Sequence, residues 1–153
     1  MNESSQPKRV AAVVLLRDDG AALLQLRDDK PGLPRAGMWV MPGGHCDPGE
    51  TMEDCARREF LEETDYDCHD LKFLARYDDH DPTTDRHFDL HLYWARYDGR
   101  QPYCCREGQD LRFVPRQGAE QLNMPRLLIA CWDASLALAG CEIDSRADMA
   151  ADA

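Results

Sequence analysis

Residues 44–64, GHCDPGETMEDCARREFLEET, decide how this chain is read. A Pro and Gly loop runs into a short amphipathic segment crowded with acid: Glu50, Glu59, Glu62 and Glu63 around Arg58, with Gly44 at the head. At roughly 100° per residue, Met52, Cys55, Ala56 and Phe60 share one side of a helix, the stripe expected to face a core. Glu59 and Glu63 fall in the middle of that stripe. Glu62 sits toward its edge, three residues after Glu59 and next to Glu63. A carboxylate facing an apolar layer resists leaving water unless something compensates it. A solvated acidic face, with Arg57 and Arg58 as local partners, accounts for Glu62 better than for Glu59 and Glu63. The natural remedy for three clustered negative charges is a divalent cation.

The stretch just upstream, Trp39-Val40-Met41-Pro42-Gly43-Gly44, reads as a loop whose paired glycines let the backbone turn tightly and approach a ligand. A backbone carbonyl there would add a hard oxygen donor to the carboxylates, which suits Mg²⁺ or Mn²⁺ rather than a soft metal. Thr51 is the expected N-cap of the helix, with Asp54 three residues on, and Thr64-Asp65 ends it.

Elsewhere the pattern alternates strands with a second helix. Arg9 to Leu16 is apolar and β-branched, and Asp18-Asp19-Gly20 turns it into a second strand, Ala21 to Leu26. The Pro and Gly loop DDKPGLPRAG that follows is expected to be flexible surface bordering a pocket just before Trp39. Residues Leu71 to Tyr77 and His87 to Tyr97 read as strands. In the second, Phe88, Leu90, Leu92 and Trp94 alternate with Asp89, His91 and Tyr93, so that one face is core and the other is placed to line a pocket. Leu111 to Pro115 reads as a short strand. Asn123 and Pro125 read as the cap and first turn of a last helix carrying Leu127, Leu128, Cys131, Trp132, Leu136 and Leu138. The expectation is one domain over residues 1–153, with flexible ends at about 1–8 and 141–153.

A chain of 153 residues supports one well-buried core and is short for two domains. Its net charge of −11 argues against a nucleic-acid polymer or an anionic membrane as the main partner. A phosphate-bearing ligand would also be repelled, so local arginines and a bound metal must reverse the sign inside a site. No stretch reaches the length of a membrane-spanning helix, and the opening MNESSQPKRV lacks the apolar core of a secretory leader, so a cytoplasmic protein is expected. The seven cysteines are odd in number, form no CxxC pair, and read as structural thiols in a reducing compartment. A zinc site from His45, Cys46 and Cys68 lacks the paired spacing of zinc modules, and Cys104-Cys105 reads as a loop feature.

Gly44, five residues, Glu50, seven residues, then Arg58-Glu59-Phe60-Leu61-Glu62-Glu63-Thr64-Asp65-Tyr66 resembles the Nudix box, G-x5-E-x7-R-E-U-x-E-E-x-G-U, where U is a bulky apolar residue. The spacing matches without a gap, and Trp39 with Pro42-Gly43 resembles the family's lead-in. Asp65 stands where the family has glycine, and the U positions are the aromatics Phe60 and Tyr66. Asp is among the residues most tolerant of the left-handed conformation that a glycine past a helix end usually serves.

The resemblance implies an α/β fold, an α/β/α sandwich with a mixed β-sheet between helices. It implies hydrolysis at the pyrophosphate of a nucleoside diphosphate linked to another group, ADP-ribose or another nucleotide sugar among them. Such chemistry needs charge neutralised on the phosphate oxygens, a water placed in line, and a group to take its proton. By resemblance the Gly44 carbonyl, Glu59, Glu62 and Glu63 hold Mg²⁺ or Mn²⁺, with Glu62 or Glu63 as base and Arg58 orienting a neighbouring glutamate from outside the acid face. Glu50 is then a partner of the loop or of Arg58. Glu107, in CREGQD, is the candidate for a further acid from outside the box. Arg35, Trp39 and Tyr93 are the candidates for substrate contact. Tyr77 and His87 are further stacking candidates, and Pro82 resembles a proline of ADP-ribose-type members. His80, His87 and His91 invite a metal reading without matching a zinc motif. The implied partner is a small nucleotide, and a homodimer is among the expected states. Two competing readings stay open: clearance of oxidised deoxynucleoside triphosphates, and a non-catalytic nucleotide sensor. An isoprenoid diphosphate isomerase would need a cysteine pocket that the sequence does not place.

Overall fold

Ala11-Ala12-Val13-Val14-Leu15-Leu16 is an apolar run without alternation, the pattern of a strand covered on both faces, and every one of these residues is buried. In a computed structural model of the protein, residues 7–151 are described, with side chains through residue 140. The order is β1 (Lys8–Leu16), β2 (Ala22–Leu26), β3 (Trp39–Val40), β4 (Gly43–His45), α1 (Met52–Thr64), β5 (Lys72–Asp81), β6 (Arg86–Arg96), β7 (Asp110–Val114), a 3₁₀ turn at Ala119–Gln121, and α2 (Arg126–Ala151). Of the expected flexible ends, residues 1–6 and 152–153 lie outside the described residues, whereas Lys8 opens β1 and residues 141–151 belong to α2. Among the described residues, no helix is long and apolar enough to cross a membrane.

β1 is the centre of a mixed sheet in the order β3-β2-β1-β6-β5. It runs parallel to β6 from Lys8↔Phe88 to Leu16↔Arg96 and antiparallel to β2 through the expected hairpin. Its first half also pairs with β4, Ala11 opposite Gly44 and Ala12 opposite Gly43, while β7 pairs along β2. Alternate residues of β1 then serve two layers. Ala12, Val14 and Leu16 join Leu92, Trp94 and, from α2, Leu128, Cys131 and Trp132. Ala11, Val13 and Leu15 join Leu23, Tyr93 and, from α1, Cys55, Ala56 and Phe60. A helix on each face of a mixed sheet is the sandwich expected.

Several local readings change. Trp39–Gly44 is not a loop throughout, because the open edges of β2 and β1 draw Trp39–Val40 and Gly43–His45 into short strands. β5 continues past Tyr77 to Asp81, since its ladder with β6 is sustained by His80↔His87 and Asp81↔Arg86. The turn between them is fixed by the Asp81 carboxylate, which accepts from the Thr83 and Thr84 backbone nitrogens and from the Thr84 hydroxyl. Asn123 does not cap α2. Its side-chain amide donates to the Gly37 carbonyl at 3.2 Å and its own carbonyl accepts from the Trp39 nitrogen at 2.9 Å, which ties the chain ahead of α2 to β3.

Candidate active site

α1 is set by local chemistry at both ends. Thr51 Oγ1 accepts from the Asp54 nitrogen at 3.1 Å, and Glu53 and Asp54 place negative charge at the positive end of the helix. At the other end Asp65 takes the left-handed conformation, φ 65°, that glycine serves in the box. Its carboxylate is held 2.6 Å from Arg106, which draws its proton affinity below the ordinary value. A side chain that tolerates φ > 0, with a local cation to hold it, accounts for the departure from the box.

The helix face toward β4 carries Glu59 and Glu63 one turn apart, as the periodicity requires. Glu63 is 6% exposed. Its Oε2 accepts from the Gly43 nitrogen and from the Gln25 side-chain amide, each at 3.2 Å. Burial raises its proton affinity well above the carboxylate range, and a hydrogen bond to Glu107 and that group's charge add to the effect. Burial also raises Glu59, against the opposing pull of Arg58 at 2.9 Å. The two glycines of β4 serve close approach rather than unusual dihedrals. A methyl at Gly43 would strike the backbone of Ala11 and Ala12, and one at Gly44 would strike the Glu59 carboxylate.

Arg58 does not lie away from the acid face. Its guanidinium folds across it, 2.7 Å from Glu50, 2.9 Å from Glu59 and 3.3 Å from Glu62, and it also donates to the His45 carbonyl. Glu50 is therefore a partner of both Arg58 and the loop, where it accepts from the Asp47 nitrogen at 3.0 Å. Arg58 beside it, with that backbone N–H, holds its carboxyl down at about 2. Glu62 is 58% exposed and turned to Arg58.

Gly43, Gly44, Glu59, Glu63 and Glu107 line a cavity of about 430 Å³ together with Arg27, Arg35, Arg86, Leu33, Phe88 and Leu90. Glu62 is not among the lining residues. The partners of the Glu63 carboxylate are a backbone N–H, a side-chain amide and another carboxyl group; a cation is what this set lacks. The donors of Glu59, Glu63, Glu107 and the Gly44 carbonyl are all oxygens, so these residues fit a hard divalent ion. Glu59, Glu63 and Glu107 share the cavity, but their oxygens do not converge as tightly as the ligand atoms of His80, Asp85 and His87 do among the described residues.

The other sequence candidates separate. Arg35 lines the cavity, oriented by Asp79 at 2.6 Å. Trp39 instead lies under the Arg112 guanidinium, 5.3 Å from its ring centre, and Tyr93 is buried in the α1 layer, edge-on to Phe73. The pocket face of β6 is accordingly the apolar one, Phe88 and Leu90, because α1 covers the face that carries Tyr93. Tyr77 packs against the α2 layer, and Pro82 and His87 are exposed. Sequence reasoning missed Arg27, Arg86 and Gln25. Only Gln25 left a signal, as a lone polar residue within the apolar run Ala22–Leu26 that the fold buries to 2% exposure.

The cysteines also depart from expectation. Cys46 and Cys55 are joined by a disulfide, their Cα atoms 5.2 Å apart, because β4 delivers the chain directly over the first turns of α1. That removes Cys46 from any zinc site. Cys68 lies buried in the α1 layer, where burial pushes its thiol up to about 12.

The model of the NUDIX domain matches residues 6–129. A protein of Bacillus subtilis (strain 168), provisionally named 8-oxo-dGTP diphosphatase, is 45% identical over 56 residues, 37% of this chain and 34% of that protein. Nucleoside triphosphatase NudI of Escherichia fergusonii is 42% identical over 57 residues, 37% of this chain and 39% of that protein. The matches thus span between a third and two fifths of the length of these relatives. The crystal structure of a MutT NUDIX hydrolase from Burkholderia pseudomallei has the same fold, with a TM-score of 0.73 at 22% identity over 85% of this chain and 98% of that one. With an ungapped box from Gly44 to Tyr66 folded onto the strand, helix and left-handed exit it needs, and the domain match running well beyond the box, the chain belongs to the NUDIX family.

Proposed function

We propose that this protein is a divalent-metal-dependent hydrolase that cleaves the pyrophosphate of a nucleoside diphosphate linked to a second group, with Mg²⁺ or Mn²⁺ as its ion. The observation that carries the reading is the cavity itself: carboxylates with raised proton affinity and three arginines line one space. Its volume falls in the range of small-ligand sites, roughly 300–1,000 Å³. Arg27, Arg35 and Arg86 supply the local positive charge that a phosphate ligand needs against a net charge of −11. Phe88, Leu90 and Leu33 offer apolar surface for a base.

In this reading Glu59, Glu63, Glu107 and the Gly44 carbonyl hold the ion. The bound ion supplies charge neutralisation and a water of lowered pKa. Arg58 keeps Glu59 and Glu62 in place. Water oxygen bonds to phosphorus, the anhydride P–O bond breaks, the bridging oxygen leaves with one phosphate group, and a glutamate takes the water proton. Glu63 is the preferred base over Glu62, because it lines the cavity and Glu62 does not. A second reading, hydrolysis of nucleoside triphosphates, is favoured by the names of the two relatives above. A single domain over residues 1–153, a cytoplasmic location and a homodimer belong to the same proposal, the location requiring that the Cys46–Cys55 bond resist the reductants of that compartment. Light scattering tests the last of these.

The deciding experiment is a screen of nucleotide sugars, dinucleotides and nucleoside triphosphates with Mg²⁺ and with Mn²⁺, reading nucleoside monophosphate, pyrophosphate and phosphate. Release of a nucleoside monophosphate and a phosphorylated second group supports the first reading, and pyrophosphate release supports the second. Binding without turnover would replace both by a sensor.

A further inference from the structure

The hairpin of β5 and β6 brings two histidines face to face on its outer side. His80 and His87 are direct cross-strand partners, and their rings lie 4.5 Å apart with planes 30° from parallel. Asp85, in the turn at φ 57°, places Oδ1 2.7 Å from His80 Nε2. One ligand atom from each of the three lies within 4.8 Å of the others. Asp78 Oδ1 stands 3.5 Å from His87 Nδ1, a second carboxylate at the rim. A contact with one aspartate accounts for each histidine singly. It does not require three ligand atoms from two strands and a turn to converge.

The structure assigns to His80, Asp85 and His87 a second metal site, specific for a borderline divalent ion of the Zn²⁺ class and separate from the acid cavity. Two imidazole nitrogens and one carboxylate suit Zn²⁺, Cu²⁺ or Ni²⁺, whereas Mg²⁺ prefers oxygen and keeps its waters. Pre-organisation comes from the ladder, which fixes the two histidines, and from Asp81, which fixes the turn carrying Asp85. The carboxylate beside the His87 ring is of the kind that orients a metal-bound imidazole. The site is open to solvent, Asp85 being 89% exposed, so an ion can reach it directly and take the place of the His80–Asp85 hydrogen bond. Asp79, Arg86 and Phe88 of the same hairpin line the cavity, so the ion braces one wall of it from outside.

The test is Zn²⁺ titration of the full chain in millimolar Mg²⁺, followed by NMR of the five histidines and by calorimetry. The expected result is that His80 and His87 signals move in a saturable, one-to-one manner while His45, His69 and His91 stay in place. His87→Ala and Asp85→Asn should weaken the calorimetric affinity by roughly 10–100-fold. A Cys104→Ser/Cys105→Ser variant should bind as the parent does. No saturable shift of the His80 and His87 signals, or an isotherm unchanged by His87→Ala, overturns the assignment.

Discussion

The Glu59 carboxylate closes over the Cα of Gly44, leaving no room there for even a methyl group. The box glycine is thus a steric partner of a candidate ligand as well as the donor of a carbonyl. Gly44→Ala should push Glu59 off its position while leaving the sheet intact. Expected are a fall in kcat/KM of roughly 10–100-fold and a higher Mg²⁺ requirement, with an unchanged far-UV circular dichroism spectrum. Unchanged kinetics would show that Glu59 moves without penalty.

Glu63→Gln removes the charge but keeps an oxygen for the Gly43 nitrogen. Turnover should drop by about 10²–10⁴-fold. Its pH signature has a definite sign. Burial and Glu107 raise the folded value above the unfolded one, so the contribution of Glu63 to stability is full below the unfolded value and is lost as pH rises through the folded one. In chelator, thermal melts should therefore show the variant gaining on the wild type as pH rises from about 4 to about 8, and divalent ion should close the gap.

Glu50 titrates with the opposite sign. Arg58 lowers its folded value from 4.5 to about 2, so its stabilising contribution is present above 4.5 and is lost as pH falls toward 2. Melting temperatures of Glu50→Gln and wild type should differ most near neutrality and converge in acid. Arg58→Ala should lower kcat, because Glu59 and Glu62 both lose the group that positions them. A pH-independent gap would separate Glu50 from Arg58.

The exit of α1 depends on backbone conformation. Asp65→Gly should change stability little, since glycine suits φ 65° and the pair with Arg106 is solvent-exposed and screened. Asp65→Val should cost about 1–2 kcal/mol, read from urea unfolding. Equal stability of the two variants would mean that the helix end has shifted.

Cys46 and Cys55 should appear as one linked peptide in a non-reducing digest, and reduction should lower stability by about 2–3 kcal/mol for so short a loop. Native alkylation should label the exposed Cys105 and spare Cys68, whose thiol burial holds at about 12. Labelling of Cys46 in the untreated protein would contradict the bond.

The amino-acid sequence by itself determined the acid-bearing helix and the longer strands, but not the short strands β3 and β4, which form only against the edges of β2 and β1. The run Ala11–Leu16, the cap at Thr51, the exit at Asp65 and the placing of Glu59 and Glu63 on an inward stripe all follow from periodicity and local backbone preference, which act over a few residues. Tertiary structure alone decided what those carboxylates face. Gln25 beneath Glu63, Glu107 beside it, the folding of Arg58 across the acids, the gathering of Arg27, Arg35 and Arg86, and the covering of Tyr93 by α1 depend on strand register and on which layer lies above each face of the sheet. Those are long-range contacts, and no local repeat in the chain encodes them. Alternation along β6 separates its two faces, but only the packing of α1 on one of them determines which is left open for a ligand.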